Sequence, residues 1–425
     1  MDSVNHLDGV AITGIGLALP LGLTCSDVVK RIRGLDSGVG RLTRFPFEGA
    51  AAAEVPEFEL RGILRKPRNE KLMSPAVRLA AHAAYHAIAQ SGLDLESVDR
   101  ERVALHTGSG HTGICYDVFF PALSVAWKDD PERDFKNLGG RATRLIDPYF
   151  SMHTLSNSGI GLLSAEHDLR GPGCNFVQGD TASARALEAA ANDLREGRCD
   201  AALAGGYDSL LVKSSFLSYL EGGLLSSSGV QAPFAAGSDG IVLGEGAAFF
   251  VLERVEDAAV RGAAPLAILQ WSVNASASGG NGLFADGLPA LAPALRTALQ
   301  SEPRPDFVVA RGIGTVAGDA EEAPILAEFQ HAGSRVTSFK ALTGYVGAAT
   351  AATEIALTIL CARAGFLPPA APLGGRDSTL PFQPETEAAA IERGDLTVLA
   401  LSGGWTGQGS AMAFKIPASK EKDTA

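Results

Sequence analysis

In residues 171–197 a short strand, 175–177, enters a tight turn at Gly179, and after Asp180 comes a helix with Ala182, Ala186, Leu187, Ala190, Ala191 and Leu194 on one face. That spacing is helical, and Gly197 supplies a stop. The amide dipoles of such a helix aim at the residue in the elbow, where many enzymes hold a nucleophile. Here the elbow holds a carboxylate. Asp180 could act as a nucleophile or a base, or it could be a structural acid kept ionised by the helix amides. Cys174, six residues earlier, is a second candidate nucleophile, but its place at a strand start predicts a small buried residue instead.

The elements around this elbow read as an α/β chain. The first strand is expected over 9–15, a helix over 26–33, irregular chain over 38–60 and an apolar helix over 75–91 with Val77, Leu79, Ala80, Ala84 and Ile88 inward. A buried strand follows at 102–107, then an insertion over 111–150 that is helical in part, and a helix over 151–168 leading to the elbow. Strands at 200–206 and 247–253 follow, and the pattern restarts. Its second run has strands at 265–275, 306–311, 335–339, 395–402 and 410–416, with helices at 289–299, 321–330 and 347–364. Strands alternating with helices in two similar runs imply pseudo-twofold internal symmetry. Several strands are apolar nearly throughout, as expected when helices cover both sheet faces. The division expected is 1–259, 260–417 and a charged, disordered tail over 418–425.

Bulk properties narrow the function. The 425 residues suffice for a large core, and 46% hydrophobic with 20% charged residues is an ordinary globular balance. A net charge of −12 argues against nucleic acid, which requires a basic footprint. The start, MDSVNHLDGV, lacks a basic n-region and an apolar core, and no run of about 20 apolar residues occurs, so neither a signal peptide nor a membrane span is expected. Five scattered cysteines without CxxC spacing suit a reducing cytoplasm and argue against disulfides and a zinc site. No metal and no bound cofactor are expected.

Seven motifs then appear in an order that resembles the β-ketoacyl-ACP synthases of the thiolase superfamily: GVAITGIGLALPLG, LRGPG, LAGGYDS, FAAGSDGIVLGEGAAFFVLERVEDAAVRGA, GTVAGDAEEA, FKALTGYVGAA and a closing Gly-rich turn. The resemblance covers nearly the whole chain. It implies a five-layered αβαβα sandwich of two related halves that dimerises through the strand before the elbow. An active member needs a Cys in the elbow to take the acyl chain as a thioester, and two His to stabilise the enolate formed when malonyl-ACP loses carbon dioxide. On those motifs the Cys position is Asp180, the first His is Arg311 and the second is Tyr345. The family's lysine and glutamate match Lys340 and Glu354. Of its two pantetheine-binding hydroxyls, one position is Ile313 and the other survives as Thr315.

Each change disables the chemistry. An acyl-aspartate anhydride is far more activated than a thioester and would hydrolyse, Arg cannot switch protonation state as imidazole does, and Tyr fills more of the pocket. A cluster in which Asp180 pairs with Arg311 or Lys340 is expected to fill the site with matched charge, since a lone buried carboxylate is costly. This profile is most similar to the chain-length factor, the degenerate ketosynthase-like subunit of type II polyketide synthases. That resemblance implies a heterodimer with a Cys-containing ketosynthase, an acyl carrier protein whose phosphopantetheine arm enters through the partner, and a shared cavity whose length this subunit sets. Its cavity-lining candidates are Thr112, Ile114, Cys115, Tyr116, Phe150, His153 and Trp405, the last replacing a Phe gate in residues 403–409. The basic run Arg65, Lys66, Arg68 and Lys71 matches the family region that meets the carrier, and equally reads as a solvated helix entry. Two other readings stay open: an acyltransferase, hydrolase or decarboxylase built on Asp180, and a homodimeric scaffold for acyl carriers.

Overall fold

The computed structural model describes residues 4–110, 120–124, 140, 142–277, 287–373, 375–391, 394–405 and 407–418. Ten strands form the frame. Five belong to the first half: β1 (Val4–Ala18), β2 (Val103–Ser109), β3 (Gly173–Phe176), β4 (Ala201–Ser209) and β5 (Glu245–Arg254). Five belong to the second: β6 (Ala267–Ser276), β7 (Phe307–Val309), β8 (Arg335–Thr337), β9 (Leu396–Gly403) and β10 (Gln408–Ile416). The first set runs β3-β2-β4-β5-β1 and the second β8-β7-β9-β10-β6, the same order twice. Orientation repeats as well. β2 lies parallel to β3 and β4, as β7 does to β8 and β9, and the β5 and β10 pairings are all antiparallel. Antiparallel pairing of β1 with β6 joins the two sets into one hydrogen-bonded ladder.

Six helices matter to the packing: α1 (Pro75–Ser91), α2 (Ser158–His167), α3 (Ala182–Arg195), α4 (Leu288–Ala298), α5 (Val316–His331) and α6 (Thr350–Arg363). They sort into layers through three separate apolar clusters. Ala80, Ala84 and Ala87 of α1 pack with Phe249 and Val251 on the outer face of the first sheet. Leu187 and Leu194 of α3 and Ile355 and Ile359 of α6 pack between the sheets, against Phe250 and Leu252 on one side and Val309, Val398 and Phe414 on the other. Leu291 and Leu295 of α4 and Leu326 and Phe329 of α5 cover the far face, over Val308 and Leu399. The alternation within β5 (249 and 251 outward, 250 and 252 inward) is the period-2 signature of a strand buried on both faces. The arrangement is the five-layered thiolase-like αβαβα sandwich.

Glycine sets the closest contacts. A Cβ added at Gly14 or Gly16 of β1 would lie 2.2 Å from the Ala87 carbonyl or 1.9 Å from the Ala83 carbonyl, so α1 rests its backbone directly on the strand. Gly179 in the elbow has φ 57°, a left-handed conformation that glycine reaches without strain.

Several expectations need correction. Residues 38–60 contain a small antiparallel pair, Val39–Arg41 with Ala51–Ala53. The helix expected over 151–168 is two, Phe150–Thr154 and α2, because Leu155 turns out of helical geometry. Between β4 and β5, where the sequence reading names no element, lies a helix, Lys213–Glu221. Cys174 is exposed on β3, which lies at the edge of the sheet.

Candidate functional site

The elbow places Asp180 in a one-turn 3-10 segment, Gly179–Thr181, that runs straight into α3. Only 1% of Asp180 is exposed. The Tyr345 hydroxyl, itself 2% exposed, donates a short hydrogen bond to Asp180 Oδ1. Tyr345 reaches it from the second half, on the turn after a short helix, Lys340–Thr343, where Gly344 takes φ 67°. The Tyr219 ring stands edge-on to Tyr345 at 5.9 Å, and Trp405, Ile313 and Leu225 close the same cluster. The Gly404 backbone closes the remaining side: a Cβ there would lie 3.3 Å from Asp180 N and 3.6 Å from its Cγ.

A second buried set lies alongside. Lys340 Nζ donates to Glu354 Oε1 at 2.5 Å and to the Arg311 carbonyl at 2.5 Å. Glu322 accepts the Arg311 and Gly312 amides at 2.7 and 2.9 Å, with Arg311 Nε 3.9 Å from its Oε2. Arg311 Nη2 donates to the Gly318 carbonyl at 2.8 Å. Among the described contacts, Asp180 meets Tyr345, while Arg311 and Lys340 meet Glu322 and Glu354. A phenol donates to Asp180, and each cation has a glutamate from α5 or α6 beside it. Burial pushes the Glu354 carboxyl up to about 7, against the pull of Lys340, and the Glu322 carboxyl up to about 6, against Arg311. Burial also raises the Tyr345 phenol well above its usual value, with the Asp180 charge adding to it, so it stays a neutral donor.

Chemically, the arrangement is closed. No thiol stands in the elbow, no imidazole stands at Arg311 or Tyr345, and the carboxylate at Asp180 is engaged by a hydroxyl and covered. Thr315, expected from the resemblance to be a pantetheine-binding hydroxyl, accepts the Gly318 amide at 3.1 Å as the N-cap of α5, and Ile313 is fully buried. Among the described residues no group of three or more His, Cys, Asp or Glu is arranged to hold a metal ion.

The other candidates fall in three places. Trp405 is half-buried against the Tyr345 cluster. Phe150 and His153 sit on a separate short helix, where His153 Nε2 meets the Lys71 carbonyl at 3.1 Å. Thr112, Ile114, Cys115 and Tyr116 lie outside the described residues. The basic run is exposed and firmly mounted: the buried Glu166 carboxylate of α2 accepts the Arg65 and Lys66 amides, and Lys71 Nζ lies 5.2 Å over the Tyr149 ring. Arg65 and Arg100 act electrostatically on His167, whose imidazole burial chiefly lowers to about 4. Sequence reading missed Tyr219, because its helix carries no capping signal, and missed Asp208 and Glu322, although both stand inside motifs it had singled out.

Comparisons with known proteins agree on one lineage. The family model described as "Beta-ketoacyl synthase, N-terminal domain" matches residues 8–258, and "Beta-ketoacyl synthase, C-terminal domain" matches residues 267–373. A 3-oxoacyl-[acyl-carrier-protein] synthase 2 from Coxiella burnetii is 29% identical over 384 residues, covering 85% of this chain and 87% of its own. Among solved structures, the ishigamide ketosynthase/chain length factor superposes with a TM-score of 0.82 at 24% identity, covering 97% of this chain and 100% of its own. A type II PKS acyl-carrier protein in complex with its ketosynthase gives 0.78 at 23% identity, with the same coverage. At those identities the two structures speak to the fold.

Proposed function

We propose that this chain, which belongs to the β-ketoacyl synthase family, is a non-condensing, chain-length-factor-like subunit that pairs with a Cys-containing ketosynthase in type II polyketide biosynthesis. The observation that carries the reading is the Tyr345–Asp180 hydrogen bond. The position that must accept an acyl chain instead holds a buried carboxylate, tied by the residue that replaces one catalytic imidazole. Relatives such as the 3-oxoacyl-[acyl-carrier-protein] synthase 2 are condensing enzymes by name. Their chemistry needs groups that Asp180, Arg311 and Tyr345 do not supply.

In this reading the partner brings the thiolate and the imidazoles, and the carrier's phosphopantetheine arm enters through the partner. This chain supplies one wall of the cavity. Two surfaces suit the role. β3 presents an uncovered edge, and its Asn175 Nδ2 meets the carbonyl of Ser156, next to Leu155, which is 52% exposed. An unpaired strand edge beside apolar surface is what a partner strand completes. The mounted basic face at Arg65, Lys66, Arg68 and Lys71 fits an acidic carrier on an otherwise acidic chain.

Co-expression with a Cys-containing ketosynthase subunit tests the proposal. The two should purify as an equimolar complex that extends malonyl units, and changing the partner's Cys to Ala should abolish extension. A stable homodimer of this chain that condenses unaided would overturn it.

A further inference from the structure

The outer face of the second half carries a cavity of about 410 Å³, built from α4, α5 and the loop between α4 and β7. A cavity of that size suits a small molecule, and such sites combine apolar walls with a few fixed polar groups. Leu295 and Leu299 line it on the α4 side, and Ile325 and Phe329 line it on the α5 side. Leu295, Ile325 and Phe329 belong to the buried cluster beneath the two helices, so packing holds these walls in place.

Four charged side chains complete the lining. Two of them cancel each other across the helices: Arg296 Nε donates to Glu328 Oε2 at 2.9 Å, and Arg296 Nη2 donates to Glu328 Oε1. The other two, Glu302 and Arg304, stand two residues apart in the loop. Arg304 Nη1 donates to the Ala332 carbonyl at 2.6 Å, which ties the guanidinium to the end of α5. Among the described ion pairs Arg304 has no carboxylate partner. Glu302 has one ionic contact, His6 Nδ1 at 3.7 Å, which carries charge only when that imidazole is protonated. One loop therefore brings an anion and a cation, not paired with each other, to one apolar cavity.

That lining selects a ligand with both signs of charge beside an apolar body. A carboxylate with an apolar tail would meet Arg304 but suffer repulsion from Glu302, and an apolar amine would suffer the reverse. We propose that the cavity binds a free α-amino acid with an apolar side chain, its carboxylate on Arg304, its ammonium on Glu302 and its side chain between the leucines of α4 and Ile325 and Phe329 of α5. Charge-assisted hydrogen bonds would fix the head group, and burial of the side chain would add the apolar contribution.

Calorimetric titration of the full chain with phenylalanine tests the site. Binding should be saturable with one ligand per chain. The analogues 3-phenylpropionate, without the ammonium, and phenethylamine, without the carboxylate, should each bind at least about tenfold more weakly, since each gives up one charge-assisted contact. Arg304→Ala and Glu302→Gln should each weaken phenylalanine by a similar factor. If either variant does not fold, the analogue series on the unchanged chain decides. Three results overturn the proposal: no saturation with phenylalanine up to about 10 mM, an analogue that binds as tightly as phenylalanine, or unchanged affinity in either folded variant.

Discussion

Under the proposed function, Tyr345 and Asp180 turn the elbow from an acyl-accepting position into a packing position. In a ketosynthase the elbow residue must be reachable by an acyl thioester. Here it is 1% exposed and accepts a phenol hydrogen bond from the far half. Tyr345→Phe removes a donor to a buried carboxylate and should cost about 1–3 kcal/mol, read as a lowered urea midpoint at unchanged slope. Lys340→Met should cost more, about 3–5 kcal/mol, because Glu354 loses the ammonium 2.5 Å away while staying buried. Equal losses for the two variants would contradict this ranking. At this scale the identity of the degenerate positions was legible in the sequence, and their connectivity was not. Opposite formal charges pointed to Arg311 and Lys340 as partners for Asp180. The sequence did not show that α5 and α6 bring Glu322 and Glu354 to those cations, or that the turn at Gly344 brings the Tyr345 hydroxyl to the acid.

Among the elements, long apolar runs were read correctly. α1 covers residues 75–91 as expected, and each strand of the frame lies on the segment predicted for it, give or take a few terminal residues. Failures occurred where tertiary packing, and not local pattern, makes the element. The helix Lys213–Glu221 begins without a capping side chain and keeps one residue, Phe216, buried, so its formation rests on Phe45 and Phe47 packing around that ring. Cys174 was expected inside because cysteine usually is, yet β3 is an edge and leaves it exposed. The Gly-x-Gly of β1 was visible as a motif, but its purpose needed the structure. Gly16→Ala would drive a methyl into the Ala83 carbonyl of α1. It should lower the thermal midpoint sharply or prevent folding, whereas Gly9→Ala, with no atom within 4 Å of the added carbon but a φ of 82°, should cost about 1 kcal/mol.

At the level of the whole molecule, two repeats of one strand order enclose a middle layer made of α3 and α6, and Asp180 and Tyr345 lie at the N-terminal ends of both. Duplication was legible from the alternation of strands and helices. The β1–β6 seam was not, because nothing in a strand's own sequence names its neighbour across halves. The balance of buried and surface carboxyls sets the pH profile. Asp208 and Glu354, raised to about 7, and Glu322, raised to about 6, favour the fold at low pH and lose that contribution as pH rises through those values. Asp200, lowered to about 2 chiefly by its hydrogen bond to Arg102, acts oppositely, contributing above about 4 and losing its effect as pH falls through 2. The buried His167 imidazole, lowered to about 4 chiefly by burial, acts with Asp200, its contribution lost as pH falls below about 6.5, so stability should decline between about pH 6.5 and pH 8. A thermal midpoint that climbs steadily from pH 5 to pH 8 would contradict this.

The central claim is that this chain shapes a condensing centre without performing the condensation. Asp180→Asn tests it most directly, since the amide keeps an acceptor for the Tyr345 hydroxyl while removing the nucleophilic and basic carboxylate. In the reconstituted complex with a Cys-containing ketosynthase, malonyl consumption should remain within about twofold of the unchanged complex, a difference of under 0.5 kcal/mol in barrier. A fall of a hundredfold or more, with the complex still intact by size, would place the chemistry on this chain.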